Sequence, residues 1–148
     1  NIMEAAQEMH NKKLTSSPKA EEELKVFSRA VQDIVEKAYA VFRDQDEKLA
    51  QKVEPLEAVV DDLNQEVKKR HIRRLRNGKC TIELGFILSD ITTSLERVAD
   101  HCSNIAVCVT QVRDDTYDTH GYLNSVKNED SEIFRGLVLE AEEKYLLP

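Results

Sequence analysis

Apolar residues recur at alternating intervals of three and four along three long stretches of the chain, the spacing of one helix face. The first stretch follows Ser16, Ser17 and Pro18, which together predict a helix start, because serine caps helix amino termini and proline favours the first turn. Its apolar stripe comprises Leu24, Phe27, Val31, Ile34, Ala38 and Val41.

The second stretch begins after a turn at residues 43–47 and ends at Asn77 and Gly78, a typical helix stop. Pro55 interrupts the backbone hydrogen bonding of this stretch, so we expect a kink or a late helix start there. Its apolar stripe comprises Leu49, Val53, Leu56, Val60, Leu63 and Val67.

The third stretch repeats the pattern, and residues 113–124 after it predict a loop. Residues 129–146 predict a terminal helix with a less regular pattern, and residues 1–13 resemble the end of another helix. The period-two alternation of strands is missing throughout. The third apolar stripe comprises Leu88, Ile91, Leu95, Val98, Cys102, Ile105, Val109 and Val112.

Three long helices with short connections predict an all-α fold, an up-down antiparallel bundle with additional terminal helices. The repeated heptads are also typical of a coiled coil between chains, but the short turns favour packing within one chain. We therefore expect a single helical domain over residues 1–148. Because the sequence begins as if inside a helix, we expect it to be a fragment of a longer protein.

Composition and charge argue against several classes of partner and site. Charged residues make up 33% of the chain and the net charge is −7, which argues against nucleic acid or an anionic membrane as the main partner. Cys80, Cys102 and Cys108 lack the spacing of a disulfide framework or zinc site, so a reducing compartment is expected. The sequence contains no long apolar run and no signal peptide.

Five pairs of acidic residues stand four apart, about the number that chance gives, so this spacing alone is uninformative. Two of the pairs differ in lying just beside an apolar stripe, with an asparagine within a turn. If their helices pack antiparallel with these margins facing, the four carboxylates converge and require a cation such as Mg, Ca, Mn or iron. These four residues are Glu57, Asp61, Glu96 and Asp100.

A solvated flank is the simpler alternative, in which each carboxylate pairs with a nearby base such as Arg97 or Lys68. His101 adjoins Asp100 and is a candidate nitrogen ligand, although it points about 100° around the helix from that residue. The asparagines that accompany the two pairs are Asn64 and Asn104.

The one dense basic run lies at residues 68–79 and includes Lys68, Lys69, Arg70, Arg73 and Arg74. Positive charge at a helix carboxyl end stabilises the helix dipole, which is the usual reason for such a run. The functional alternative is a contact surface for an anionic partner, such as phospholipid headgroups or the acidic face of another protein.

The sequence contains no catalytic constellation, and we expect no enzymatic activity. No glutamate has a histidine three residues later, as ferritin-like di-iron sites require. The histidines are scattered, no serine lies in a glycine-framed elbow, and no glycine loop could hold a phosphate.

Residues 95–109, LERVADHCSNIAVCV, resemble the signature of PhoU-domain proteins, Leu-Glu-Arg-x-x-Asp-His-x-x-Asn-Ile-Ala. Residues 46–67 look like the companion helix, with an Asp-x-x-Leu-Ala-x-x-Val opening followed by an acidic pair. The resemblance extends from about Lys25 to Arg113. The matching positions are Leu95, Glu96, Arg97, Asp100, His101, Asn104, Ile105 and Ala106, together with Asp46, Leu49, Ala50, Val53, Glu57, Asp61 and Leu63.

This resemblance implies a PhoU-like three-helix bundle whose Glu/Asp-x-x-x-Asp motifs bind a cluster of iron or other divalent or trivalent metal ions. The implied ligands are Glu57, Asp61, Glu96 and Asp100, with His101 and Asn104 as accessory residues. A second bundle from a partner chain would complete a cluster that one bundle leaves incomplete.

The family acts in phosphate uptake and its regulation. A single set of motifs and a start inside a helix resemble the cytoplasmic, PhoU-like carboxyl-terminal domain of sodium/phosphate cotransporter-family proteins. The implied role is non-catalytic regulation next to a membrane portion upstream, with that portion, transport or sensor proteins, or a second copy as partner. The alternatives are a stand-alone PhoU-like regulator or adaptor, and a structural bundle that dimerises through its stripes.

Overall fold

The described parts of the chain are largely helical. The structure is a computed structural model that describes residues 2–12, 16–114 and 132–148, and these ranges contain no strand. The helices are α1 (Ile2–Asn11), α2 (Pro18–Asp44), α3 (Glu47–Ala50), α4 (Val53–Arg76), α5 (Ile82–Asp114) and α6 (Glu132–Lys144).

Helices α2, α4 and α5 form an up-down antiparallel bundle, which confirms the predicted all-α fold. Helix α1 packs against α5, and α6 packs against α4. The loop predicted at residues 113–124 lies outside the described residues from position 115 onward, as do residues 129–131 of the predicted terminal helix. None of the helices within the described ranges is both long and apolar enough to cross a bilayer.

Local signals set the helix starts as the sequence predicts. The side chain of Ser17 caps α2 by accepting a hydrogen bond from the backbone amide of Ala20, and Pro18 is the first helical residue. Pro55 lies in the first turn of α4, where its missing amide hydrogen would have no helical partner, so α4 starts late and needs no kink.

The carboxyl end of α4 closes with a left-handed residue, Gly78, whose φ is +65°. The amide of Gly78 bonds to the Leu75 carbonyl at 3.0 Å, and that of Lys79 bonds to the Arg74 carbonyl at 2.9 Å. This pair of bonds is a Schellman motif, in which glycine adopts the left-handed conformation without steric cost. The predicted stop at Asn77 and Gly78 is therefore confirmed.

The core follows the predicted stripes of α2 and α4 closely. Leu24 of α2 and Leu49 of α3 are partly buried against the core, and all other residues of these two stripes are buried. The fully enclosed side chains belong to both helices, as expected for a bundle seam. They include Phe27, Ile34, Val41, Val53 and Val60.

Helix α5 is rotated relative to the predicted stripe. Val98 and Ile105 were expected in the core, but they are 37% and 41% exposed, so this prediction is wrong. Ala99 and Ala106 are buried in their place. The physical reason is that small side chains allow α5 to approach both α2 and α4 closely, whereas Val or Ile at these positions would hold the helices apart. The side chain of Val112 lies outside the described residues.

The hairpin between α4 and α5 has a second close approach, at Gly85. A β-carbon at this position would lie 2.6 Å from Nε2 of the buried His71. The Cys80 thiol also approaches His71, with Sγ 3.5 Å from Nδ1. Burial lowers the pKa of His71, and the nearby positive charge of Arg74 lowers it further.

Helix α6 is held at its carboxyl end by Asp33 of α2. The Asp33 carboxylate accepts hydrogen bonds from the Tyr145 hydroxyl at 2.6 Å, from Lys144 Nζ at 2.9 Å, and from Lys37. Burial by itself would raise the pKa of Asp33, but these three donors outweigh it and hold the pKa at about 2. Tyr145 is buried and joins the main core.

We predict that the docking of α6 weakens in acid. The pKa of Asp33 is about 2 in the fold against an ordinary value of 3.8. Its contribution to the free energy of unfolding is therefore present above pH 4 and is lost as the pH falls from about 4 to about 2. Urea unfolding measured across this range should show a smaller pH dependence for Asp33→Asn than for the wild type. Asp90→Asn, an exposed aspartate of α5, is the control; a wild-type acid response in Asp33→Asn would contradict the prediction.

Candidate functional site

The two predicted acidic pairs lie along the same seam, between α4 and α5. Two hydrogen bonds cross this seam: Ser103 Oγ donates to the Glu54 carboxylate, and Lys68 Nζ donates to Thr93 Oγ1 at 3.2 Å. On α4 the pair Glu57 and Asp61 lies between these two crossing points. On α5 the pair Glu96 and Asp100 also lies between them.

The crossing contacts fix the register of the two antiparallel helices. The Ser103–Glu54 hydrogen bond places Glu57 at the level of Asp100, and it places Asp61 at the level of Glu96. The margins that carry the two pairs therefore face each other at matching heights along the bundle.

The carboxylate groups themselves are spread along this seam. Glu57, Asp61 and Glu96 are half-buried, whereas Asp100 is exposed. Asp61 Oδ2 accepts a hydrogen bond from Gln65 Nε2 at 3.3 Å. Within the described part of the chain, no three His, Cys, Asp or Glu side chains are grouped so that they could hold a metal ion. The helices thus place the two acidic pairs at matching heights, but their side chains do not form a metal-binding cluster.

Two further oxygen groups of α4 lie close in sequence to its acidic pair, and sequence reasoning did not place them in the core. Glu54 and Asn64 are both only 4% exposed. The Asn64 Oδ1 atom has no hydrogen-bond partner among the described residues. Asn64 follows Asp61 by three positions, one helical turn, which is a usable signal. Glu54 gives no such signal, since a glutamate in the first turn of a helix is ordinary.

The donor set on this seam fits a hard cation. Carboxylate and amide oxygens are the ligands that Mg²⁺, Ca²⁺ and Mn²⁺ prefer, and bridging carboxylates also bind iron. A buried amide oxygen without a partner costs free energy that a bound cation would recover. The chemistry of the seam therefore supports a metal site, although the carboxylates do not meet.

His101 and Asn104 are both exposed, and each lies within about one turn of Asp100 on α5. They line a groove together with Phe42 of α2 and Ile105 of α5. Asn104 follows Asp100 by one turn on the same side of α5, whereas His101 points about 100° around the helix from Asp100. Their accessory role at a metal stays a prediction.

The basic run divides into side chains with different surroundings. Arg70 and Arg74 reach across to Glu23 of α2, a glutamate whose side chain is only 2% exposed. Lys68 instead contacts α5 through Thr93. The remaining two bases of the predicted partner surface, Lys69 and Arg73, are exposed.

Comparison with known proteins gives two matches. The family model described as "PhoU domain" matches residues 24–109, which is more than half of the chain. The chain is also 29% identical over 83 residues to the "Phosphate-specific transport system accessory protein PhoU homolog 1" of Thermotoga maritima. This alignment covers 56% of the chain and 36% of the relative, so the chain spans about a third of the relative's length. No solved structure matches the chain.

We predict that the hydrogen bond from Ser103 to the buried Glu54 stabilises the α4–α5 seam. Ser103→Ala removes a donor to a buried carboxylate, so the free energy of unfolding should fall by about 1.5–3 kcal/mol. Ser89→Ala, at an exposed position of the same helix, should change it by less than about 0.5 kcal/mol. Equal stabilities of the two variants in urea titrations would contradict the assignment.

Proposed function

The chain belongs to the PhoU domain family, and from this premise we propose that it is a non-catalytic regulatory domain of a phosphate transport system. The observation that carries the proposal is the family match over residues 24–109, which includes α4 and most of α5 with both acidic pairs. The relative from Thermotoga maritima, whose name describes an accessory protein of phosphate-specific transport, supports the same role.

Two protein contexts fit this role. In the first, the domain is the cytoplasmic part of a sodium/phosphate cotransporter-type protein and acts on a membrane portion of the same chain. In the second, it is part of a stand-alone accessory protein, which the name of the relative favours. Several apolar stretches of about 20 residues in the adjoining coding sequence would favour the first context, and their absence there would favour the second.

The proposed ligand of the α4–α5 seam is a metal ion or small cluster, with iron or another divalent or trivalent metal as candidates. Glu57, Asp61, Glu96 and Asp100 would hold it, and the unpartnered oxygen of Asn64 lies within a turn of Asp61. A cation here would neutralise the facing carboxylates and hold α4 against α5. Since the carboxylates lie apart, binding requires them to turn inward or to share the metal with a second bundle.

We predict that metal content depends on both acidic pairs. Glu57→Gln/Asp61→Asn and Glu96→Gln/Asp100→Asn each remove two anionic donors from one side of the seam, so elemental analysis should find markedly less bound metal in either variant. A chelator should lower the melting temperature of the wild type and leave that of both variants nearly unchanged, because only the loaded fold gains stability from the ion.

The control for the metal measurement is Glu140→Gln/Glu143→Gln. It removes two exposed acids from α6, far along the sequence from the seam. It should retain the metal content of the wild type. Equal metal in the wild type and both seam variants would remove metal binding from the proposal but would leave the regulatory role standing.

We predict that the regulatory role has a cellular phenotype. Disruption of the gene in the source organism should deregulate phosphate uptake, so that uptake measured with radioactive phosphate stays high when external phosphate is plentiful. Re-expression of the wild-type gene should restore control. Uptake that responds normally to phosphate after disruption would contradict the proposed function.

A further inference from the structure

A basic cleft opens at the end of the bundle where α2 begins and α4 ends. It has a volume of about 640 Å³, and none of the four seam carboxylates lines it. Its lining contains five cationic side chains and two carboxylates, in a chain whose net charge is −7. The cationic side chains are Lys19, Arg70, Arg73, Arg74 and Lys79.

The fold builds this concentration of charge from two helix ends. Ser17, Pro18 and Lys19 bring the positive end of the α2 dipole to the cleft. The Schellman motif that closes α4 turns the chain back so that Lys79 joins the same lining. Basic side chains at the end of α4, which would otherwise only stabilise its helix dipole, therefore line the cleft together.

The two carboxylates of the cleft are already neutralised. Glu23 lies between two guanidinium groups, with Arg74 Nη1 at 2.8 Å from Oε2 and Arg70 Nη1 at 3.4 Å from Oε1. Glu66 pairs with Arg70 Nε at 3.1 Å. Arg70 also donates to the carbonyl oxygen of Pro148 at 2.5 Å, so an oxygen acceptor already occupies part of the cleft.

Arg74 has donor capacity that the protein leaves unused. Its side chain is only 14% exposed, and Nη1 binds Glu23. The Nε and Nη2 atoms have no hydrogen-bond partner among the described residues. Both atoms are themselves buried, so the contacts open to a ligand in the cleft come from its exposed bases, Lys19, Arg73 and Lys79.

We propose that this cleft is a binding site for a phosphate oxyanion, held by Lys19, Arg73 and Lys79, with the positive charge of Arg74 behind them. A dianionic phosphate matches the excess of cations in the cleft better than a single carboxylate does. Inorganic phosphate and the phosphomonoester headgroup of a lipid present the same oxygens. The inference is independent of the proposed function, because it concerns binding by this chain at a site apart from the acidic pairs.

The test uses two double variants with the same change in charge. Arg73→Gln/Lys79→Gln removes two exposed bases of the cleft, and Arg74 stays in place to pair with the buried Glu23. Lys69→Gln/Arg76→Gln is the matched control, since both residues are exposed bases of α4 outside the cleft lining. Circular dichroism and ligand-free melting curves establish that both variants fold as the wild type does.

Titration calorimetry with inorganic phosphate, at constant ionic strength set with sodium chloride, measures the first source. A parallel flotation assay measures binding to phosphatidylcholine vesicles with and without phosphatidic acid. We expect the cleft variant to bind roughly tenfold more weakly, or worse, because it loses two charge-assisted contacts. The control variant should stay within about twofold of the wild type, because charges outside the cleft are screened by salt.

Each outcome has a definite meaning. Saturable binding of inorganic phosphate with this variant pattern supports the site and identifies a soluble ligand. The same pattern only on phosphatidic acid vesicles supports the site and identifies a lipid headgroup. Absence of binding in both assays, or an equal loss in both variants, would overturn the proposal. Because neither assay involves phosphate transport or metal, these outcomes are distinguishable from failure of the proposed function.

Discussion

The close packing of α5 against α2 and α4 at once is the constraint on which the rest of the structure depends. It requires small residues on the inner face of α5, and Ala99, Cys102, Ser103 and Ala106 provide them. The same face sets how α5 is rotated. With these residues inward, Glu96 and Asp100 lie on the margin next to α4, and Val98 and Ile105 turn outward. The candidate metal seam is therefore a result of core packing.

Charge is distributed so that the two ends of α4 serve different chemistry. Near its start, the helix presents carboxylates to α5 and buries Glu54 against Ser103. Near its end, it presents guanidinium groups to α2 and encloses Glu23 between them. An acidic region and a basic region thus lie on one rigid helix, about 20 Å apart along its axis between Glu57–Asp61 and Arg70–Arg74.

Local and periodic features of the fold were predictable from the sequence. Ser17 and Pro18, Pro55, and Asn77 with Gly78 have effects within a few residues, so their interpretation needed no tertiary structure. The stripes of α2 and α4 were predictable because large aliphatic side chains at helical spacing dominate burial. The rotation of α5 about its axis was not predictable. Alanine is only weakly hydrophobic and so contributes little to an apolar stripe, although it decides how closely two helices approach.

The candidate sites were predictable only in part, for a related reason. The acidic pairs and the basic run are visible in the sequence. The matching heights of the two acidic pairs follow once α4 and α5 are known to be antiparallel. The burial of Glu23 and Glu54 depends on partners 47 to 51 positions away, and no local pattern identifies such partners. Whether the carboxylates converge depends on side-chain rotamers, which spacing does not determine.

The buried polar contacts also remove an ambiguity that the heptad repeat leaves. Apolar stripes of this kind look the same after a slip of seven residues, so hydrophobic packing alone would tolerate several alignments or an exchange of helices between chains. Such a slip would strand the Glu54 carboxylate away from Ser103 and the Glu23 carboxylate away from Arg74. An unpaired charge inside a core costs far more free energy than a misplaced methyl group. These two contacts therefore favour a single register of the helices in the bundle.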